Sequence, residues 1–220
     1  MRLDQTIRFG RRNLPHWEIR GGRYFVTVRC AGSLPDNVVG RLQEIHLHLQ
    51  TIIPRSEGFA AMQRAYFLTM EKYLDCSSGQ GGILCDPLAA RAVILELDLL
   101  AEWRVEVPHF SIMPNHWHAL LVSRDDWVHT LGETMKRVKG RSAKAMRRQC
   151  GGAGPVWQRE WFDRWVRDEA EWEKVVDYIH NNPVKAGLAK DGATISGRDS
   201  PFYGSSASPR LAPRGARFGQ

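Results

Sequence analysis

VEVPHFSIMPNHWHALLV, residues 105–122, is the stretch on which the fold turns. Val105 to Met113 has β character, Pro114-Asn115 supplies turn chemistry, and His116 to Val122 resumes an apolar run. The stretch reads as a β-hairpin that carries two histidines. Side chains two apart on a strand leave the same face, so His116 and His118 point the same way with Cα atoms roughly 6.5 Å apart. One metal ion can bridge that gap. Two neutral imidazoles also leave coordination positions open for phosphate oxygens, as a catalytic rather than a structural site requires. The competing reading is a pair of half-exposed strand histidines packed beside Trp117.

Working outward, His46 and His48 repeat the spacing inside a helical pattern, where the two rings lie about 200° apart and cannot share an ion. Upstream, Gly21-Gly22 precedes Tyr24 to Val28, a run of aromatic and β-branched residues that predicts a strand. Apolar spacing predicts helices over about 37–52 and 59–74, followed by a Ser-Ser-Gly-Gln-Gly-Gly loop. Asp86-Pro87 sets a capping residue before a first-turn proline and predicts a helix to about Trp103. Downstream, helices are predicted over about 130–148 and 169–180, with an extended piece at 162–167 between them. Residues beyond Lys190 are rich in Gly, Ser, Pro and Arg without apolar periodicity, and predict a flexible basic tail over 191–220 after a single catalytic domain over 1–190.

Lys and Arg total 31 against 24 Asp and Glu, a net charge of +7 that favours a polyanionic partner. The hydrophobic fraction of 43% excludes a wholly disordered chain. Four cysteines without a CxxC pair, behind a charged start, predict reduced thiols and a cytoplasmic protein. No stretch reaches the roughly 20 apolar residues of a membrane helix.

In the last predicted helix, Trp172, Val175, Val176 and Ile179 form the core stripe, and Tyr178 lies off its centre. A helical tyrosine in that position either borders the core or serves as a nucleophile. Asn182 is one turn further on, so it either shares a site with Tyr178 or, standing before Pro183 and ahead of Gly187, caps a short second helix. Lys136, Arg137, Lys139, Arg141, Lys144, Arg147 and Arg148 form a cluster without an acidic residue, suited to phosphates or to a solvated face. Trp157, Trp161, Phe162 and Trp165 alternate with Arg159, Arg164 and Arg167, a mixture suited to stacking on unpaired bases, with core burial as the rival for the aromatics.

Taken together, GGRYFVTVR, MPNHWHALLV and GPVWQREWFDRWVRDEAEWEKVVDYIHNNPVKAGL resemble the REP-associated tyrosine transposases, single-tyrosine HUH enzymes related to insertion-sequence transposases. The likeness runs from Asn13 to Leu188. It implies a ferredoxin-like α+β domain with the histidine strand at its centre, His116 and His118 as metal ligands, Asn182 as a further ligand, and Tyr178 as catalytic nucleophile. It further implies Mg²⁺ or Mn²⁺ as cofactor and single-stranded or hairpin DNA as partner, cut and rejoined through a 5′-phosphotyrosine by a monomer or homodimer in the nucleoid-bearing cytoplasm. The DNA-contact set expected is Lys136, Arg137, Lys139, Arg141, Lys144, Trp157, Arg159, Arg164, Arg167 and Lys185. Two departures stand out: Arg164 occupies a position usually held by histidine, and the tail lacks the usual tryptophan near its Ser-Ser pair. The alternatives are a domesticated DNA-binding regulator that does not cut, and a hydrolase that uses water.

Overall fold

The computed structural model describes residues 6–11, 15–19, 21–53, 56–77, 82–188 and 203–204. A short hairpin, β1 (Thr6–Arg11) and β2 (Pro15–Ile19), precedes the body of the fold. The remaining strands are β3 (Arg23–Arg29), β4 (Val105–Met113), β5 (His116–Ser123), β6 (Phe162–Trp165) and β7 (Tyr203–Gly204). They form one antiparallel sheet in the order β6-β3-β5-β4-β7. The helices are α1 (Asp36–Thr51), α2 (Glu57–Ser77), α3 (Pro87–Asp98), α4 (Leu131–Cys150) and α5 (Glu169–Lys185).

The order β6-β3-β5-β4, with α3 between β3 and β4 and α4 between β5 and β6, is the split βαβ arrangement of the ferredoxin-like fold. This α+β architecture agrees with the resemblance. Period two along the strands divides the apolar residues between the two faces of the sheet. Tyr24, Val26, Val28, Trp117, Ala119 and Leu121 face α3 and α4 in one core. Phe25 and Leu120 face α1, α2 and α5 in the other. Each large apolar side chain buried in these layers contributes about 1.5–3 kcal/mol.

Local chemistry places the helix ends. The Asp86 side chain accepts from Leu88 N, and Thr130 with Glu133 forms a reciprocal capping box at the start of α4. The helix predicted from Pro87 to Trp103 is α3 followed by a 3₁₀ segment, Leu99–Trp103. Helix α5 runs through Pro183 to Lys185, so the reading of Asn182 as the cap of a second helix is wrong. Pro183 removes one backbone donor only, and Gly187 at φ +70° closes the same helix, with Leu188 N donating to Pro183 O and Gly187 N to Val184 O. In the expected tail, Tyr203 and Gly204 pair with Ser111 and Phe110 at the edge of β4. The other residues of 191–220 lie outside the described residues, as do Asn13 and Leu14 of the N-terminal resemblance.

Candidate active site

Register brings the histidines to the α1/α2/α5 face of the sheet. Thr27 lies opposite His118 and Arg29 opposite His116 across the β3–β5 pair. Trp117, between the two histidines, points into the opposite core and is fully buried. Both histidines are fully buried too, which removes the reading of half-exposed strand residues.

Their rings are oriented by outer partners. Asn115 Nδ2 donates to Leu74 O at 3.1 Å, which turns its Oδ1 toward His116 Nδ1 at 2.6 Å. A carbonyl oxygen only accepts, so His116 carries its proton on Nδ1 and presents the Nε2 lone pair. His118 Nδ1 lies 2.8 Å from Thr27 Oγ1, and the two Nε2 atoms face each other at 3.0 Å. Burial, with His118 beside it, pushes the pKa of His116 down to about 3, so its imidazole is neutral at physiological pH. Metal-binding histidines show this pattern, with one nitrogen fixed by a hydrogen bond and the other left for the ion.

The third member is Glu71, which the sequence reading did not single out. It lies four residues after Phe67 and three before Leu74 on the apolar stripe of α2, and a carboxylate on a buried stripe is a legible signal. Its Oε2 is 3.5 Å from His118 Nε2. Glu71, His116 and His118 are all buried, and their donor atoms lie within 4.8 Å of one another. Burial alone would raise the Glu71 carboxyl; His118, His116 and the Tyr178 hydrogen bond together outweigh it and hold the group below the ordinary range.

Tyr178 reaches this cluster from α5. Its hydroxyl donates a short hydrogen bond to Glu71 Oε2. The half-buried ring meets Phe25, Phe67 and His118 edge-on, with centroid separations of 5.7, 5.6 and 5.4 Å. Lys185 Nζ sits 5.6 Å over the same ring. Asn182, one turn after Tyr178, is fully buried with neither side-chain polar atom hydrogen-bonded.

The expected DNA-contact residues distribute differently. Helix α4 lies on the sheet face opposite the histidines, and several of its cations are tied internally. Arg141 Nε donates to both oxygens of Glu96 at 2.9 and 3.0 Å, and Arg137 pairs with Glu102 and covers Trp103. Lys139 Nζ donates to Arg159 O at 2.6 Å and lies over Trp161. Arg164 and Arg167 both pair with Glu171. Trp157 is a core residue, not a surface platform for bases, with Nε1 donating to Ser142 Oγ at 3.0 Å. Lys136, Lys144 and Arg159 are exposed.

Residues 88–182, from the first turn of α3 to Asn182, match the family model described as "Transposase IS200 like". The matched segment contains His116, His118 and Tyr178, and Glu71 lies outside it. An uncharacterised protein of Haemophilus influenzae (strain ATCC 51907 / DSM 11121 / KW20 / Rd) is 25% identical over 101 residues, 37% of this chain. The chain spans 56% of the length of that curated relative. A solved REP-associated tyrosine transposase bound to a REP hairpin aligns at 20% identity and a TM-score of 0.46, covering 86% of this chain and 79% of that one.

Proposed function

We propose that the protein is a metal-dependent, single-tyrosine transposase that cleaves and rejoins single-stranded DNA beside hairpins. The observation that carries this reading is the hydrogen bond from the Tyr178 hydroxyl to Glu71, itself grouped with two histidines whose Nε2 atoms converge. The IS200-like transposase segment and the net charge of +7 support a DNA substrate. Hairpin DNA as the specific substrate rests on the motif resemblance.

The residues fit a divalent ion. Nitrogen donors from His116 and His118 join a carboxylate whose Oε1 has no hydrogen-bond partner. Mg²⁺ or Mn²⁺ held there would supply Lewis-acid polarisation of a phosphodiester. Asn115 and Thr27 hold the imidazoles in the orientation such binding needs.

In this reading Tyr178 is the nucleophile, supported by its contact with Glu71. Glu71, ionised at neutral pH, accepts the phenolic proton through Oε2 as the Tyr178 oxygen attacks phosphorus. The new bond joins the tyrosine oxygen to the 5′-phosphate, the bond to the 3′ oxygen breaks, and that oxygen takes up the proton Glu71 accepted and leaves as a hydroxyl. One phosphodiester replaces another, so the reverse step rejoins DNA without a nucleotide cofactor.

The test is a denaturing gel of labelled single-stranded hairpin DNA incubated with the protein and Mn²⁺. A protein–DNA adduct is expected for the native chain and absent for Tyr178→Phe, which keeps DNA binding. Cleavage without adduct would assign hydrolysis by water, and binding without cleavage would assign a regulator that has lost the reaction. Adduct persisting in Tyr178→Phe would remove the nucleophile assignment.

A further inference from the structure

Arg29 is a buried cation next to the histidine cluster that the mechanism above does not use. It is 7% exposed at the end of β3. Phe25, Thr27 and Arg29 alternate onto one face: Phe25 stacks on His118 at 5.5 Å and Thr27 holds the His118 ring. Arg29 is the next residue on that face and lies opposite His116. Directly opposed residues of an antiparallel pair have Cβ atoms about 4.5–5.5 Å apart, so the Arg29 side chain leaves the sheet beside His116.

Among the described residues its guanidinium has no ion pair and no hydrogen-bond partner. Burial lowers the pKa of the group, and Tyr66 offsets part of this; Glu160 acts on Tyr66 and Lys139 nearby without pairing with Arg29. Lys139 acts on it as a like charge. A buried charge without a partner is strongly unfavourable. A planar fork of donors matches the oxygens of a phosphate, which would supply the missing countercharge. The same end of β3 and β5 borders a cavity of about 330 Å³, lined by Cys30, Ser33, Asn115 and Arg147 and by the Gly151–Gly154 loop. Asn115 belongs both to that lining and to the support of His116.

We propose that Arg29 binds a non-bridging oxygen of the scissile phosphodiester and holds the phosphate beside His116, within reach of Tyr178. The identity of the phosphate as the scissile one rests on the tyrosine transposase reading. The binding itself does not.

The test uses the full chain in EDTA, with inorganic phosphate and a short single-stranded oligonucleotide as probes, and compares Arg29→Met and Arg29→Lys with the native protein. Phosphate at matched ionic strength raises the native Tm. Arg29→Met, relieved of a buried charge, has a higher Tm in phosphate-free buffer, loses the phosphate response, and binds the oligonucleotide about tenfold to a hundredfold more weakly. Arg29→Lys keeps part of both. A lower Tm in Arg29→Met with phosphate response and affinity unchanged would make Arg29 structural and overturn the proposal. Should Arg29→Met fail to fold, Arg29→Lys decides: native-strength phosphate response and affinity would overturn the fork-like contact, and loss of both supports it. Loss of affinity in these variants, with no adduct from the native chain under Mn²⁺, keeps the phosphate site and sinks the transposase reading. Adduct formation with undiminished affinity in Arg29→Met does the reverse.

Discussion

The contact between Tyr178 and Glu71 is the most direct place to test the site, because it joins the proposed nucleophile to the proposed ligand group and can be measured without activity. Tyr178→Phe removes the hydroxyl that donates to a 5%-exposed carboxylate and leaves the ring packed on Phe25 and Phe67. Hydrogen bonds to charged groups contribute about 1.5–3 kcal/mol, and Glu71 keeps His118 at 3.5 Å to hold it ionised. The expected loss of stability in metal-free buffer is therefore about 2 kcal/mol. Glu71→Gln removes the charge from the same bond, so the two changes should not add. A double-mutant cycle by urea denaturation should show a coupling of about 1 kcal/mol or more, against the roughly 0.3–0.5 kcal/mol within which independent sites add. Additive single mutants, or a Tyr178→Phe midpoint equal to native, would refute the contact and with it the path by which Tyr178 loses its proton.

Three further outcomes follow from the same geometry. Glu71→Ala should weaken Mn²⁺ binding, measured by calorimetry, by at least the roughly tenfold to hundredfold that loss of a ligand-orienting partner costs; a loss confined to Asn182→Ala would replace Glu71 by Asn182 in the ligand set. Gly82→Ala would bring a Cβ to 1.8 Å from the Pro114 carbonyl oxygen, where Leu84 N already donates at 3.1 Å, and should cost about 3 kcal/mol in urea denaturation while weakening Mn²⁺ binding at the adjacent His116. Burial pushes the Cys30 thiol from 9.0 up to about 12, so between those values the folded chain holds a proton that the unfolded chain has released. Stability should fall with rising pH there by about 1.4 kcal/mol per unit, and Cys30→Ala should flatten that slope in denaturation curves.

The histidine hairpin was legible because its signals are local: a Pro-Asn turn, strand alternation on both sides, and two histidines two residues apart. Tyr178 was legible as a helical position off the core stripe, and its role came from the motif around it. Glu71 was not read, since nothing in its spacing links it to His116 or His118, and only the fold of α2 over the sheet brings them together. The charge cluster of α4 was visible, but its partners were not. Glu96 and Glu102 lie 45 and 35 positions from Arg141 and Arg137, and pairing at that range depends on how α3 and α4 pack. The charge pattern therefore suggested a DNA-binding face where two of the seven cations, Arg137 and Arg141, join α4 to the helical segment before β4. Trp157 was misassigned for a related reason: an aromatic among arginines looks the same in sequence whether it is to stack on a base or to fill a core. Pro183 misled locally, because its bias against helix at Asn182 is weaker than the closing hydrogen bonds at Gly187 and Leu188.

The two faces of the sheet are linked by register, and this bears on how the site is maintained. Even-numbered residues of β3 and odd-numbered residues of β5 fill the core against α3 and α4, while their alternates build the site. A slip of one residue would turn Trp117 toward α2 and α5 and both histidines into the apolar core, exchanging a packed indole for buried polar rings. The core that contains no site residue thus selects the single register in which Thr27 meets His118 and Arg29 meets His116. Substitutions at Val26, Val28 or Trp117 should accordingly disturb the ligand geometry without touching it, through the alignment of β3 with β5.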